Sequence, residues 1–121
     1  MKVALLNKPK EILISEREKP VPRENQVLIK IRYMGICGTD GKIFDGGIPS
    51  NTPVIMGHEA VGEIISGQTN KGGVPGDFVI IDPVLYCSNC FYCKRNETHL
   101  CENGALMGRD VNGLFSEYVV V

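Results

Sequence analysis

The stretch that decides most about this protein is CSNCFYCKRNETHLC, residues 87–101, whose cysteines are spaced Cys-x2-Cys-x2-Cys-x7-Cys. Four thiolates this close in a chain suit the tetrahedral coordination of one zinc ion, with Zn–S distances of about 2.3 Å. Such a site has no open coordination position, so it stabilises structure and does no chemistry. The spacing therefore predicts a structural zinc lobe over residues 86–103, with Cys87, Cys90, Cys93 and Cys101 as the metal ligands.

Two alternatives for these cysteines stay open on the sequence alone. Two disulfides would need an oxidising compartment, and the apolar run from Met1 to Leu6 is too short for a secretory signal peptide. A ferredoxin-type cluster uses Cys-x2-Cys-x2-Cys-x3-Cys-Pro, whereas here the last gap is seven residues and Glu102 follows it. The pattern favours zinc and a reducing, cytoplasmic location.

The composition is typical of one ordinary globular domain. The chain has 121 residues, of which 43% are hydrophobic and 22% charged, and its net charge is −1. A nearly neutral chain has no general electrostatic attraction to nucleic acid or to anionic lipid. No apolar run approaches the ~20 residues that a membrane-spanning helix needs. We therefore expect no nucleic-acid partner and no membrane association.

Short β-type runs separated by glycine- and proline-containing turns predict a mainly β fold, a barrel or a sandwich. In the clearest run, Val27–Tyr33, alternation places Val27, Ile29, Ile31 and Tyr33 on one face. Residues 37–45 are not β-like, and Thr39 or Asp40 is expected to cap a short helix there. The other predicted strands are Val3–Leu6, Ile12–Ser15, Ala60–Ile65, Phe78–Ile81 and Phe115–Val121.

A second group of candidate ligands consists of Cys37, His58 and Glu59. A thiol, an imidazole and a carboxylate are ligand types of catalytic zinc sites, which keep one position open for water or substrate. Zinc in such a site polarises a carbonyl or lowers the pKa of a bound water. A lone buried cysteine is, however, usually a small apolar filler, and a lone histidine after glycine is often an ordinary loop residue. The spacing alone leaves this choice open.

The order of the motifs along the chain resembles the zinc-dependent medium-chain alcohol dehydrogenases. The matching segments are GICGTD at 35–40, PVIMGHE at 53–59, VGEI at 61–64, GDFV at 76–79, the cysteine lobe, and GLFSEYV at 113–119. The resemblance covers nearly the whole chain, and Gly-His-Glu and the cysteine lobe are its most specific parts. It concerns the N-terminal catalytic half of these enzymes, the GroES-like domain. It implies a partly open β-barrel with short helices and a zinc-binding cysteine lobe.

The resemblance also implies a role for each candidate residue. Cys37 and His58 are expected to bind the catalytic zinc, and Glu59 is the adjacent acid that enters the zinc sphere when water or substrate exchanges. Thr39 is expected to relay a proton from the substrate alcohol. Asp40 is expected to orient His58, because metal-bound imidazoles usually donate their other N–H to a carboxylate or carbonyl. The lobe cysteines correspond to the structural zinc ligands.

The activity that the resemblance implies is NAD(P)-linked oxidation of a small alcohol, polyol or sugar. Gly38, where some family members carry a basic residue, is more similar to the polyol, sugar and threonine dehydrogenases. The 121 residues contain no Gly-x-Gly-x-x-Gly turn of the dinucleotide-binding type. In the family, a nucleotide-binding domain and a further catalytic zinc ligand follow the matched region. We therefore expect residues 1–121 to be an incomplete catalytic domain that has no dehydrogenase turnover by itself.

The chain is also expected to self-associate, because it exposes apolar surface that the other parts of such an enzyme would cover.

A different class of function also stays open, in which the chain is a non-catalytic zinc-binding module that binds a partner through the lobe or a β edge. Cys37 with Gly57-His58-Glu59 discriminates the two, because an interaction module has no use for a second, open zinc site.

Overall fold

The structure is a computed structural model that describes residues 1–70 and 72–121. Over these residues it contains nine strands and one α-helix, so the predicted mainly β fold is confirmed. In chain order the elements are β1 Lys2–Lys8, β2 Glu11–Glu16, β3 Val27–Gly35, α1 Gly38–Asp45, β4 Val54–Ile55, β5 Glu59–Gly67, β6 Phe78–Ile80, β7 Val84–Leu85, β8 Ala105–Leu106 and β9 Tyr118–Val120. Two short 3-10 turns, Cys93–Arg95 and Thr98–Leu100, lie in the cysteine lobe.

The strands form three antiparallel sheets, in the orders β2-β1-β4, β6-β5-β3-β9 and β7-β8. The first two sheets meet where Val3 bridges Ser116 and the Ala4 N–H donates to the Phe115 carbonyl at 2.9 Å. The sheets do not close into a continuous barrel over the described residues, in keeping with the partly open form expected. No helix in this part of the chain is both long enough and apolar enough to cross a membrane.

Two apolar clusters form the core. The larger one lies mainly on β3 and β5 and consists of Val27, Ile29, Ile31, Ala60, Ile64, Ile81, Met107, Leu114 and Val119. The smaller one consists of Leu6, Ile43, Val54 and Met56, with Phe44, Ile48 and Phe115 packed against it. Ile43 lies in α1 and Met56 lies two residues before His58. The smaller cluster therefore joins α1 to the chain segment that leads into the Gly-His-Glu motif.

The predicted alternation on β3 is confirmed only in part. Val27, Ile29 and Ile31 are buried, but so is Leu28 between them, and Tyr33 is 75% exposed. The pairing of β3 with β5 shifts register between Leu28 and Ile29 and again between Ile31 and Tyr33. A change of face does not account for this exposure, because the neighbouring Arg32 and Met34 are exposed as well, so beyond Ile31 neither face of β3 is buried. The prediction that Tyr33 shares the buried face is therefore wrong.

The last predicted strand is also shorter than expected. The sequence predicts a strand over Phe115–Val121, whereas β9 covers only Tyr118–Val120. The backbone before it is used differently: the Ser116 N–H donates to the Leu114 carbonyl at 2.8 Å, a turn-like bond. Residues 113–115 instead bond to the segment that precedes His58, as described below.

Candidate metal centres

The four cysteines of the lobe converge on one point. The sulfur atoms of Cys87, Cys90, Cys93 and Cys101 all lie within 4.8 Å of one another. The Cys87 N–H donates to the Cys101 Sγ at 3.3 Å, and the Cys90 N–H donates to the Cys87 Sγ at 3.4 Å. Backbone donors aimed at sulfur stabilise the thiolate, which is the form that binds metal. The donor set therefore fits a four-thiolate zinc site.

The pKa values within the lobe reflect the same environment. Backbone hydrogen bonds from Asn89 and Cys90 lower the pKa of Cys87 to about 6. A backbone hydrogen bond from Cys93 lowers the pKa of Cys90. Burial raises the pKa of Cys93, the most enclosed of the four sulfurs.

The lobe has almost no hydrophobic core of its own. Cys93 is its one buried residue over the range 86–103, and Phe91 and Leu100 are 61% and 49% exposed. Its local order comes from 3-10 turns, with the Asn96 N–H donating to the Cys93 carbonyl at 3.1 Å. The sulfur quartet is therefore the only centre around which this segment can pack.

The second group of donors lies between α1 and the start of β5. Ligand atoms of Cys37, His58 and Glu59 lie within 4.8 Å of one another, and the Cys37 Sγ is 3.2 Å from the His58 Nε2. The antiparallel pairing of β3 with β5 places Gly35 opposite Glu59. Cys37 follows Gly35 by two residues, so this pairing brings the thiol to the imidazole across 21 positions of sequence.

Cys37 is also the residue that caps α1. The helix begins after Cys37, whose Sγ accepts the Thr39 N–H at 3.3 Å, and the Cys37 N–H donates to the Asp40 Oδ2 at 2.9 Å. The N-cap position is therefore Cys37 and not Thr39 or Asp40, which lie inside the first turn, and Asp40 contributes to the cap as the N3 partner of a capping box. The side chain of Cys37 is fixed by a helix start, which directs its sulfur to one side of the site.

Asp40 connects the two ligand-bearing segments. Its side chain is almost completely buried; while Oδ2 accepts the Cys37 N–H, Oδ1 lies 3.3 Å from the His58 Nδ1. Neither Oδ1 nor Nδ1 makes a hydrogen bond of ordinary geometry to a described residue. The 3.3 Å contact between them is therefore the polar contact of both atoms. A proton on Nδ1 directed to this carboxylate leaves the Nε2 lone pair facing Cys37.

This arrangement fits an open zinc site. Cys37 and His58 are half-buried, whereas Glu59 is exposed, so one side of the donor group faces solvent. A thiolate, an imidazole and a carboxylate match the donors of catalytic zinc sites, in which a further position is left for water or substrate. A buried carboxylate behind the imidazole is the usual support of a metal-binding histidine.

The structure thus brings the seven sequence-predicted ligands into two groups, and their assignment as metal ligands stays a prediction. Thr39 lies beside the second group through its N–H bond to Cys37. His99, inside the lobe, is exposed. Gly57, Gly113 and Phe115 contact one another beside His58, and no sequence pattern predicts this contact. Gly57 and Gly113 are 56 positions apart in the chain, so no local signal joins them.

Comparison with known proteins identifies the family of this chain. The family described as alcohol dehydrogenase GroES-like domain matches residues 23–121. L-galactonate-5-dehydrogenase of Escherichia coli K12 is 38% identical over all of this chain, which covers 36% of that protein. L-threonine 3-dehydrogenase of Pyrococcus furiosus is 40% identical over 88% of this chain, which covers 32% of that protein. A solved structure of an alcohol dehydrogenase from E. coli CFT073, complexed with NADH, superimposes with a TM-score of 0.91 at 37% identity over all of this chain and 36% of that one.

The chain therefore belongs to the alcohol dehydrogenase family, whose GroES-like domain it contains. It spans about a third of the length of the relatives to which it is similar.

Proposed function

We propose that this chain provides both metal sites of a zinc-dependent, NAD(P)-linked dehydrogenase that acts on a small alcohol, polyol or sugar. The observation that carries the proposal is the convergence of Cys37, His58 and Glu59 beside the buried Asp40. Relatives named as L-galactonate and L-threonine dehydrogenases support a substrate with a hydroxyl group. The five free thiols support a reducing, cytoplasmic compartment.

Each residue of the open site has a separate role in this proposal. Cys37, His58 and Glu59 would hold the zinc ion, which when bound supplies Lewis-acid chemistry at the hydroxyl oxygen of the substrate. Asp40 keeps His58 in the tautomer whose Nε2 is free to bind. Glu59, the exposed member, would be the most readily exchanged ligand of that ion. Thr39, at the first turn of α1, would pass the hydroxyl proton toward solvent.

The cysteine lobe has a different task in this proposal. Four thiolates complete a tetrahedron and leave no position for substrate, so the lobe zinc would be structural. A second candidate function is a non-catalytic zinc module that docks through the lobe. The Cys37–His58–Glu59 group favours the dehydrogenase, because only catalysis requires a second site with an open side.

Metal counting separates these two functions. We expect the purified chain to bind two zinc ions, one tightly in the lobe and one more weakly at the open site, as measured by chelator competition with elemental analysis. The Cys37→Ser variant should keep the lobe ion and lose the other, because a serine hydroxyl is a poor zinc ligand compared with a thiolate. The matched variant Cys93→Ser should do the opposite. A single ion that survives Cys37→Ser fits the module and also an open site that lacks its further ligand, whereas loss of the lobe ion in Cys37→Ser, or a second ion that survives it, would refute the assignment.

The second prediction is that the 121-residue chain by itself has no dehydrogenase turnover. Hydride transfer requires a nicotinamide held against the substrate carbon, and the protein supplies that positioning. Since these residues contain no glycine-rich dinucleotide turn, zinc-loaded chain mixed with NAD and simple alcohols or polyols should form no NADH above a protein-free control. Steady growth of NADH absorbance that disappears in Cys37→Ser would contradict this.

A further inference from the structure

We propose that the segment Gly108–Phe115, called here the 108–115 loop, positions His58 for metal binding by fixing the backbone of the three residues before it. This inference rests on the proposed function, because it concerns the open metal site. The loop follows the cysteine lobe and β8 in the chain, and its members neither contribute a ligand nor carry a chemically reactive side chain toward the site. Its role is therefore one of position.

The backbone contacts are continuous over residues 55–57. The Gly113 N–H donates to the Ile55 carbonyl at 2.7 Å, the Phe115 N–H to the Met56 carbonyl at 2.8 Å, and the Leu114 N–H to the Gly57 carbonyl at 2.9 Å. In the reverse direction, the Ile55 N–H donates to the side-chain oxygen of Asn112 at 3.1 Å. Successive hydrogen bonds of this kind leave residues 55–57 little freedom to rotate. Loss of the Asn112 side chain would remove only one of these four bonds, so it would test the loop less sharply than a change at Gly113 or Phe115.

The packing at Gly57 is tighter than any side chain would permit. Gly57 has φ +89, a region that favours glycine, and the ring of Phe115 occupies the space where a Cβ of residue 57 would lie. On the other side, a Cβ on Gly113 would overlap the Gly57 carbonyl oxygen and approach Gly108. The backbones at Gly57, Gly108 and Gly113 are therefore in direct contact immediately before His58.

This contact controls the geometry of the ligand group. After His58, the chain is fixed by the pairing of Glu59 with Gly35. Before His58, it is fixed by the 108–115 loop. Phe115 also packs on the apolar cluster that includes Ile43 of α1, the helix that carries Asp40. A change in the loop would therefore move the imidazole relative to both Cys37 and Asp40, without touching the lobe sulfurs.

The Gly113→Ala variant tests this directly with cobalt(II) and zinc as probes. Its added methyl group must displace the Gly57 carbonyl, so we expect metal affinity at the open site to fall roughly tenfold to a hundredfold, the range found for groups that orient metal ligands. Affinity of the lobe should not change. The two sites are distinguishable by cobalt absorption, because charge-transfer intensity grows with the number of thiolate ligands and the lobe has four against one.

The matched control is Gly41→Ala, the same substitution on α1. A Cβ at Gly41 meets no heavy atom within 4 Å, so both affinities should equal those of the unsubstituted chain. A milder variant, Phe115→Leu, keeps the backbone bonds of the loop but removes the ring from Gly57. It should weaken the open site by a smaller factor, and it decides the question if Gly113→Ala fails to fold.

The outcomes separate the two proposals. If no ion binds outside the lobe even at saturating cobalt(II), or if Cys37→Ser does not remove the ion that does, the proposed open site fails. If Cys37→Ser removes that ion, and neither Gly113→Ala nor Phe115→Leu weakens the open site relative to the lobe, the positioning role is refuted while the metal site stands. A loss of affinity confined to the open site supports positioning, since general destabilisation of the fold would not distinguish the two sites.

Discussion

Removal of metal from the cysteine lobe is expected to unfold residues 86–103 and to leave the sheet of β3 and β5 folded. Cys93 is the one buried residue of this segment, so the free energy that orders it must come from metal–thiolate bonds rather than from apolar burial. Structural zinc sites of this kind contribute on the order of 10 kcal/mol of apparent binding free energy at neutral pH. The large cluster on β3 and β5 contains no residue of the lobe. The two parts should therefore lose structure independently.

Hydrogen exchange measures this separation at single amides. In metal-loaded protein the amides of Lys94, Asn96 and Cys101 should be protected, since they donate to the carbonyls of Cys90, Cys93 and Thr98 within the lobe. Strong chelator, or the Cys93→Ala variant, should bring these amides to the exchange rates of an unfolded peptide.

Two amides elsewhere serve as internal standards for the same experiment. The amides of Ile31 and Ile64 donate to the Glu117 and Asp77 carbonyls and should keep their protection when the lobe metal is removed. Cys37→Ser should leave the lobe protected. Persistent protection of the lobe in metal-free protein would show that something other than the sulfur quartet holds it together.

The parts of this structure that the sequence predicts are those encoded locally. The lobe is recognisable because its four candidate ligands fall within fifteen residues. The strand at Val27–Ile31 is recognisable because apolar residues at alternate positions indicate a buried face. The three donors of the open site are distant in sequence, and no periodicity joins Cys37 to His58. Resemblance to a family supplied that grouping, and the pairing of β3 with β5 explains it physically.

The features that the sequence does not predict depend on burial, on a side-chain bond or on a distant backbone. Tyr33 is exposed because it lies in the second half of β3, where Arg32 and Met34 are exposed as well and neither face of the strand is buried. Cys37 caps α1, although cysteine is not among the preferred capping residues, because Asp40 bonds back to its N–H. The contact of Gly113 with Gly57 joins backbones 56 positions apart, and no local pattern encodes such a contact.

Substitution of Asp40 is expected to weaken metal binding at the open site strongly, although Asp40 is not a ligand. One carboxylate performs two tasks there: Oδ2 fixes the start of α1 at Cys37, and Oδ1 faces the His58 Nδ1. Asp40→Ala removes both, so metal affinity at this site should fall roughly tenfold to a hundredfold. The free energy of unfolding of the metal-free chain should fall by about 1 kcal/mol, the usual effect of losing a helix cap.

Asp40→Asn separates the two tasks of this carboxylate. The amide oxygen of this variant can still accept the Cys37 N–H. In that orientation the amide NH2 group faces the Nδ1 proton of His58, so two hydrogen-bond donors face each other. Metal affinity should therefore fall about as far as in the alanine variant, while stability is largely kept. Chelator competition and chemical denaturation measure the two quantities. Asp77→Asn is the matched control, because Asp77 also accepts a backbone N–H, from Val74 at 2.9 Å, but in an exposed turn. Equal metal affinities for Asp40→Asn and Asp77→Asn would mean that Asp40 caps the helix and does not orient the imidazole.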